Sequence, residues 1–430
     1  MIAAEVYLWG TRIGFVAQED GSAPARFSYD ADFLNSGIEV SPLMMPLSGR
    51  LYSFPELNGQ TFFGLPGLLA DSLPDRFGTK LISRYLAEQG RSIDMLTAVE
   101  RLCYTGSRGM GALEYVPAKG YADAADGEKI DVDALVRLAS DVLSERKRLR
   151  AGRKGAVMEQ MLRVGTSAGG ARAKAVIAWN EKTGEIRSGQ VDAGEGFEYR
   201  IIKFDQVDNN KDHGDRPDGP AYTRIEYAYY LMACAAGIEM NACSLLQENG
   251  RYHFMTRRFD RLPDTGGKLH MQTLGAMAHF DYNEPGAHSY EEAAGVIWRL
   301  GMGQSEVTAL FRRMVFHVMA RNRDDHVKNI SFLMDRTGTW HLSPAYDETF
   351  AWDPHNYWLA RHQMSVNGKR EEIEESDLHA CGRHMNLGKR QIETVIAQVR
   401  DAVNRWETYA GDAQVPEPEM EEIRRAIRNQ

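Results

Sequence analysis

A short polar segment from Arg323 to Asn329 carries residue types suited to phosphoryl transfer. Its aspartate, Asp324, stands five positions before Asn329, the spacing found in the catalytic loop of protein kinases. In that chemistry a carboxylate accepts the proton of the attacking hydroxyl, and a neutral amide oxygen holds magnesium. Lys328 can neutralise charge that develops on the transferred group. The segment therefore predicts a kinase catalytic loop, with acidic surface turns as the alternative.

Three charged side chains elsewhere supply what such a loop needs. Asp347 follows an apolar strand, where a second metal-binding carboxylate is expected. Lys203 ends a β-branched strand, as the phosphate-binding lysine of a kinase does, and an exposed strand lysine is the alternative. Glu226, early in the next helix, is either the ion-pair partner of Lys203 or a favourable charge at a helix N-terminus. We expect these residues and the catalytic loop to converge on one nucleotide.

A run of small residues from Gly165 to Lys174 is a candidate phosphate-binding loop. It matches neither the Walker A pattern nor GxGxxG. Small side chains still let backbone N–H groups approach phosphate oxygens, and Lys174 would add positive charge. The alternative is a plain hairpin turn, which is the simpler interpretation of the run by itself.

The elements that must position these residues change character along the chain. Alternating strands with a few helices precede a mostly helical region that is broken by strands near residues 330–343. We therefore predict an α+β protein with a protein-kinase-like bilobal fold. Its expected parts are a small N-terminal α+β domain (1–118), a β-rich ATP-binding lobe (119–255) and a helical C-terminal lobe (256–430).

The composition narrows the function classes. The chain has 430 residues, 43% of them hydrophobic and 26% charged, as in globular proteins that bury a sizeable core. Its net charge of −9 argues against a general nucleic-acid coat protein. The four cysteines form no CxxC pair, which favours a reducing compartment. With no signal peptide or apolar span visible, we expect a cytoplasmic protein that does not bind membranes.

Longer motifs resemble those of the HipA family of bacterial toxin kinases, and the resemblance covers nearly the whole chain. The residues from Phe63 to Asp75 are similar to the family's N-terminal domain signature. The matching phosphate-loop, hinge, catalytic and metal motifs are, in that order, Ser167–Lys174, Arg258–Arg261, Asp324–Asn329 and Pro344–Asp347.

The resemblance implies a role for each matching residue. Asp324 would be the catalytic base, His326 would shape its loop and Lys328 would assist, while Asn329 and Asp347 would hold magnesium. The nucleotide contacts would come from Ser167, Ala168, Gly169, Gly170, Ala171, Lys174, Lys203, Arg258, Phe259, Asp260 and Gln272. Ser167 would also be autophosphorylated, and the added negative charge would expel the loop from the ATP site.

One residue departs from the pattern, because Asp325 stands where some members carry glycine. A second carboxylate beside the base could raise the pKa of Asp324 or bind metal. The expectation for this position is therefore an altered rate or metal preference.

The family's cofactors and partners follow from the same resemblance. They are ATP with Mg²⁺, a HipB-like helix-turn-helix antitoxin that contacts operator DNA, and a protein substrate such as an aminoacyl-tRNA synthetase, whose serine or threonine phosphorylation arrests growth. Operator DNA would be bound only through the antitoxin complex. Two alternatives stay open: a small-molecule or lipid kinase on the same scaffold, and a non-catalytic co-repressor.

Overall fold

The computed structural model describes residues 1–117, 129–143, 153–165, 172–208, 219, 221–262 and 267–428. The N-terminal domain is built on an antiparallel sheet of order β3-β2-β1-β4. Its strands are β1 (Ile2–Leu8), β2 (Thr11–Gln18), β3 (Arg26–Tyr29) and β4 (Leu113–Val116). Alternate residues such as Val6, Leu8 and Ile13 are buried, so the period-two pattern of the sequence places one face of the sheet on a core.

Three of the four α-helices of this domain begin at a side-chain cap. They are α1 (Gly59–Phe62), α2 (Gly67–Ala70), α3 (Arg76–Glu88) and α4 (Ala98–Thr105), with 3₁₀ turns at Phe33–Asn35 and Ile93–Met95. A capping box of Thr97 and Glu100 opens α4, and the Asp75 carboxylate accepts the Gly78 N–H at the start of α3.

A five-stranded antiparallel sheet of order β6-β5-β7-β9-β8 forms the β-rich lobe. Its elements are α5 (Val132–Leu143), α6 (Arg153–Gly165), β5 (Lys174–Trp179), β6 (Ile186–Ser188), β7 (Glu198–Lys203), α7 (Tyr222–Ala235), β8 (Cys243–Glu248) and β9 (Arg251–Arg257). The core of this lobe includes Ile177 and Ile202 from the sheet and Met161 from α6. Phe77 and Leu81 of α3 belong to the same core, so this helix packs on the β-rich lobe.

The C-terminal lobe combines helices with a small sheet of order β10-β11-β12. Its elements are β10 (His270–Thr273), α8 (Leu274–Ala278), α9 (Tyr290–Arg299), α10 (Gln304–Met319), β11 (Ser331–Met334), β12 (Trp340–Leu342), α11 (Glu375–His384), α12 (Lys389–Val403), α13 (Trp406–Asp412) and α14 (Glu417–Arg428). Buried Leu310, Phe311 and Met314 make α10 its central helix. None of the helices described is long and apolar enough to cross a membrane.

The N-terminal domain and the C-terminal lobe share one continuous hydrophobic core. They approach closely at Gly67, whose N–H donates to His279 Nε2 at 3.1 Å. A Cβ at Gly67 would lie only 2.5 Å from the Ala276 carbonyl oxygen, so only glycine fits. The element order confirms the predicted α+β class, and the shared core fixes the N-terminal domain beside the catalytic loop.

Candidate active site

Lys203 lies at the centre of the charged cluster that the sequence predicted. Its ammonium contacts Glu226 Oε1 and Asp347 Oδ1, both at 2.5 Å. The end of β7 supplies the lysine, the first turns of α7 supply the glutamate, and Asp347 follows β12. Three elements distant in sequence therefore meet at one ammonium group, and Glu226 is its ion-pair partner.

The charges in this cluster reinforce one another. Burial disfavours the charged ammonium, but Asp347 and Glu226 outweigh it and raise the pKa of Lys203 well above its usual value. Burial also disfavours the Asp347 carboxylate, yet Lys203, Lys174 and Arg172 together lower its pKa to about 2. Asp347 is therefore ionised at neutral pH, as a magnesium ligand must be.

The backbone around Asp347 is specially shaped. Asp347 has a φ of 56°, in the left-handed region that few non-glycine residues occupy. The hydroxyl of the preceding residue, Tyr346, donates to the Lys328 carbonyl at 2.6 Å. Its ring lies 5.5 Å from that of Phe259, between centroids. Tyr346 thus ties the segment carrying Asp347 to the catalytic loop and to the hinge, a role that the sequence pattern did not reveal.

The side-chain amide of Asn329 closes the predicted catalytic loop. Asn329 Nδ2 donates to the Asp324 carbonyl at 2.8 Å, and the Asn329 N–H donates to the His326 carbonyl at 2.9 Å. The amide oxygen of Asn329 is therefore the atom suited to a cation. His326 Nε2 lies 3.8 Å from Asp324 Oδ1, and both side chains are largely buried. The five-residue spacing places Asp324 and Asn329 in one closed loop, and their roles as base and magnesium ligand stay predictions.

Lys328 lies where the N-terminal domain meets the catalytic loop. Its ammonium is 4.7 Å from the centre of the Tyr282 ring. Lys328 and Tyr282 line a small cavity together with Asp71 and Thr61 of the N-terminal domain. Asp71 in turn accepts the Thr273 N–H and hydroxyl, at 2.6 and 2.9 Å.

Asp325 points away from this site, into the core. Its carboxylate accepts hydrogen bonds from the Tyr290 hydroxyl, His362 Nδ1 and the Gln363 N–H, at 2.9, 2.9 and 2.7 Å. Burial would raise the pKa of Asp325, but His362 and His317 lower it to about 2. All of these contacts are internal, so its carboxylate is committed to holding the loop in place.

The same buried network continues behind the loop. The Tyr290 hydroxyl is 2.7 Å from His317 Nδ1, and His317 Nε2 is 2.9 Å from both oxygens of Glu348. Burial disfavours the imidazolium, but Glu348 and Asp325 raise the pKa of His317. Asn322 Nδ2 also donates to Glu348, at 3.1 Å. Nothing in the sequence spacing linked these residues to the catalytic loop.

Lys174 lies beside Lys203, because the two are directly paired residues of antiparallel β5 and β7. Its ammonium is 3.7 Å from Asp75 Oδ2, and its side chain is only 4% exposed. Five of the predicted nucleotide contacts, Ser167, Ala168, Gly169, Gly170 and Ala171, lie outside the described residues, so their roles stay predictions.

The predicted hinge residues face the N-terminal domain through their side chains. Arg258 and Arg261 both pair with Asp260, at 2.7 and 2.8 Å, and Asp260 also accepts the Gly111 N–H at 2.7 Å. Gln272 Nε2, on β10, donates to the hydroxyl of Ser41, on the N-terminal domain, at 3.2 Å. These side chains fix the hinge against the N-terminal domain. Any contact of the hinge with adenine stays a prediction.

The donor set fits a magnesium ion bound mainly through phosphates. Among the described residues no group of three or more His, Cys, Asp or Glu side chains forms a metal site by itself. Mg²⁺ is commonly held by one or two protein oxygens together with substrate phosphates. The Asn329 amide oxygen and the ionised Asp347 carboxylate are such oxygens.

Comparison with known proteins places the chain in a family. A model described as the HipA-like C-terminal domain matches residues 166–406, and one described as the HipA N-terminal domain matches residues 4–116. No curated protein matched significantly. The chain is similar to one from the Shewanella oneidensis MR-1 toxin–antitoxin complex of HipA, HipB and operator DNA. The TM-score is 0.69 at 16% identity, over 99% of this chain and 95% of the other. A Helicobacter pylori proinflammatory kinase, CtkA, gives a TM-score of 0.29 at 11% identity, over 51% of this chain and 92% of the other.

Proposed function

This chain belongs to the HipA family, and we propose that it transfers the γ-phosphoryl group of ATP to a serine or threonine of a protein. The observation that carries the proposal is the ammonium of Lys203 held between Glu226 and Asp347, beside a closed Asp-to-Asn loop. These residues are of the types that would supply a phosphate-binding cation, a metal-binding carboxylate and a base.

Each residue has a defined task in the reaction. Lys203 and Lys174 bind phosphate oxygens, which sets the γ-phosphorus in line with the substrate hydroxyl. The hydroxyl oxygen forms a bond to that phosphorus while the bond to the β–γ bridging oxygen breaks and ADP leaves. The hydroxyl proton passes to the Asp324 carboxylate, and Lys328 offsets the charge on the transferred group.

Magnesium, when bound by Asn329 and Asp347, would neutralise charge on the phosphates. The left-handed backbone at Asp347 and the Lys203 contact hold the carboxylate in its orientation before the nucleotide arrives. Such pre-organisation lowers the reorganisation that accompanies the reaction.

A rigid surface loop favours a polypeptide substrate over a small molecule. The loop between Ala351 and Ala360, here the aromatic loop, is anchored at both ends by Arg323, next to the base. The Arg323 N–H donates to the Ala351 carbonyl at 2.9 Å, and its guanidinium donates to the Ala360 carbonyl. Tyr357 at its tip is 75% exposed and packs edge-on against Trp358, 5.2 Å between ring centroids. Exposed tyrosine is a residue type that anchors protein interfaces.

The finer biology of the proposal comes from the family. A HipB-like helix-turn-helix antitoxin is the proposed partner, with operator DNA contacted only through the complex. The proposed substrate is a translation component such as an aminoacyl-tRNA synthetase, whose modification would arrest growth in the cytoplasm. Autophosphorylation of Ser167 is the proposed off-switch. Phosphopeptide mass spectrometry after induction tests the substrate and Ser167, and co-purification tests the antitoxin.

Labelling with γ-labelled ATP tests the reaction itself. In a cell lysate, wild-type protein should label one or a few proteins, and Asp324→Asn should label none while keeping the wild-type melting temperature. Asp335→Asn, which changes an aspartate of an exposed turn, is the matched control and should keep full activity. Label appearing only in small molecules would favour the alternative of a small-molecule kinase. Equal transfer by wild type and Asp324→Asn would refute the role of the base.

A further inference from the structure

Two buried lysines face each other in the site. Lys174 and Lys203 are directly opposite residues of β5 and β7, so their side chains leave the same face of the sheet. Like charges placed directly opposite in a sheet repel, and both side chains here are at least nine-tenths buried. Lys203 has Glu226 and Asp347 as counter-ions. The carboxylate that Lys174 contacts therefore contributes to holding this second cation in the site.

The carboxylate that contacts Lys174 comes from the N-terminal domain signature. Asp75 Oδ2 lies 3.7 Å from the Lys174 ammonium, and the Asp75 side chain is only 6% exposed. The other oxygen, Oδ1, accepts the Gly78 N–H at 2.5 Å as the N-cap of α3. One carboxylate thus joins the start of a helix to a lysine of the β-rich lobe.

The helix that Asp75 begins is fixed to the β-rich lobe. Phe77, Leu81 and Leu86 of α3 lie in the same hydrophobic core as Ala173 and Ala175, which flank Lys174. The cap and the lysine are therefore set in one rigid unit, and Asp75 cannot move away without disturbing that core.

We propose that Asp75 is a positioning residue of the nucleotide site, holding the Lys174 ammonium extended for the ATP phosphates. The inference rests on the proposed function and deepens it, because it makes the N-terminal domain signature part of the ATP site. Asp75 acts on Lys174 as Glu226 acts on Lys203. When phosphates arrive, the ammonium gains a second anionic partner without losing its anchor.

Asp75→Asn separates this role from helix capping, because asparagine caps helices about as well as aspartate. The KM for ATP should rise about tenfold, as expected when one member of a buried charge pair is neutralised. The kcat should change little, whereas the melting temperature should fall because Lys174 loses a buried counter-ion. Thr97→Ala removes the N-cap of α4 in the same domain. This control should lower the melting temperature and leave the KM for ATP unchanged.

Lysine reactivity without nucleotide gives a readout that does not depend on catalysis. Loss of the Asp75 charge releases the Lys174 ammonium from a fixed position, so a reagent can reach it more easily. Competitive acetylation mapped by mass spectrometry should therefore show Lys174 several-fold more reactive in Asp75→Asn. Lys182, in an exposed turn, should be unchanged.

Each result bears on a distinct claim. An unchanged KM for ATP, or unchanged Lys174 reactivity, in Asp75→Asn would overturn the positioning role. A fall in stability without any change in the KM for ATP would assign Asp75 to the fold alone. Wild-type protein that binds no Mg-ATP would instead refute the proposed function, and a changed Lys174 reactivity would still support the Asp75 contact.

Discussion

Two adjacent aspartates should give opposite results when neutralised. Asp324 is the proposed base, whereas Asp325 is 2% exposed and accepts hydrogen bonds from Tyr290, His362 and Gln363. We predict that Asp325→Asn destabilises the protein while leaving Mg-ATP binding within about threefold of wild type, a change of less than 1 kcal/mol.

The size of the expected destabilisation follows from the charges around Asp325. Lowering its pKa from the usual 3.8 to about 2 corresponds to about 2 kcal/mol of stability at neutral pH. Breaking a buried ion pair by removing one charge costs roughly 3 to 5 kcal/mol. We therefore expect Asp325→Asn to lower the free energy of unfolding by about 2 to 4 kcal/mol.

The contribution of Asp325 to stability depends on pH, and the direction of this dependence is fixed. Because the pKa of Asp325 is lower in the folded protein, its contribution is present above about pH 4 and is lost as pH falls toward 2. The difference between wild type and Asp325→Asn should therefore be full at pH 7 and shrink below pH 4. His317, His362 and Tyr290 are the titratable groups facing this carboxylate, and they are the same in both proteins.

Urea unfolding followed by tryptophan fluorescence, with Mg-ATP binding measured in parallel, tests the prediction. Tyr290→Phe is a matched partner, since it removes one hydrogen bond to the carboxylate and should cost about 1 to 2 kcal/mol. The double variant should cost less than the sum of the two single changes, because the residues are in contact. An Asp325→Asn protein as stable as wild type, but with altered metal binding, would refute the reasoning and place Asp325 in the site.

The remaining predictions concern the ion pair of Lys203 and the aromatic loop. Glu226→Gln should lower the rate of phosphoryl transfer on the order of 100-fold, because the Lys203 ammonium loses one of its two carboxylate partners and shifts. Steady-state kinetics at saturating ATP measures this rate. Tyr357→Ala should raise the KM for a protein substrate about tenfold and leave the KM for ATP unchanged. Phe15→Ala, an exposed aromatic change in the N-terminal sheet, is its control, and an equal effect of both would refute the docking role of the aromatic loop.

The sequence was informative where one local pattern encodes one function. The strand ending in Lys203, the helix bearing Glu226 and the loop from Asp324 to Asn329 were each identified from spacing and residue type. The structure brings the charges of the first two together and closes the loop. Local rules suffice here because strand ends, helix starts and tight loops position their own side chains.

Spacing could not reveal contacts made across the fold. The inward orientation of Asp325 depends on Tyr290 and His362, which are distant in sequence. The residue pattern also could not show that α3 packs on the β-rich lobe. For the same reason Asp75 was recognised only as part of a motif, although its carboxylate contacts Lys174.

Calorimetric titration with Mg-ATP tests most directly whether the charged cluster is a nucleotide site. Wild-type protein should bind one Mg-ATP per chain, and Asp347→Asn should abolish the magnesium-dependent part of the affinity. Asp192→Asn, in an exposed turn of the β-rich lobe, should bind as wild type does. Wild-type protein that binds no Mg-ATP, or Asp347→Asn that binds it as tightly with magnesium as wild type, would contradict the convergence of Lys203, Asn329 and Asp347 on one nucleotide.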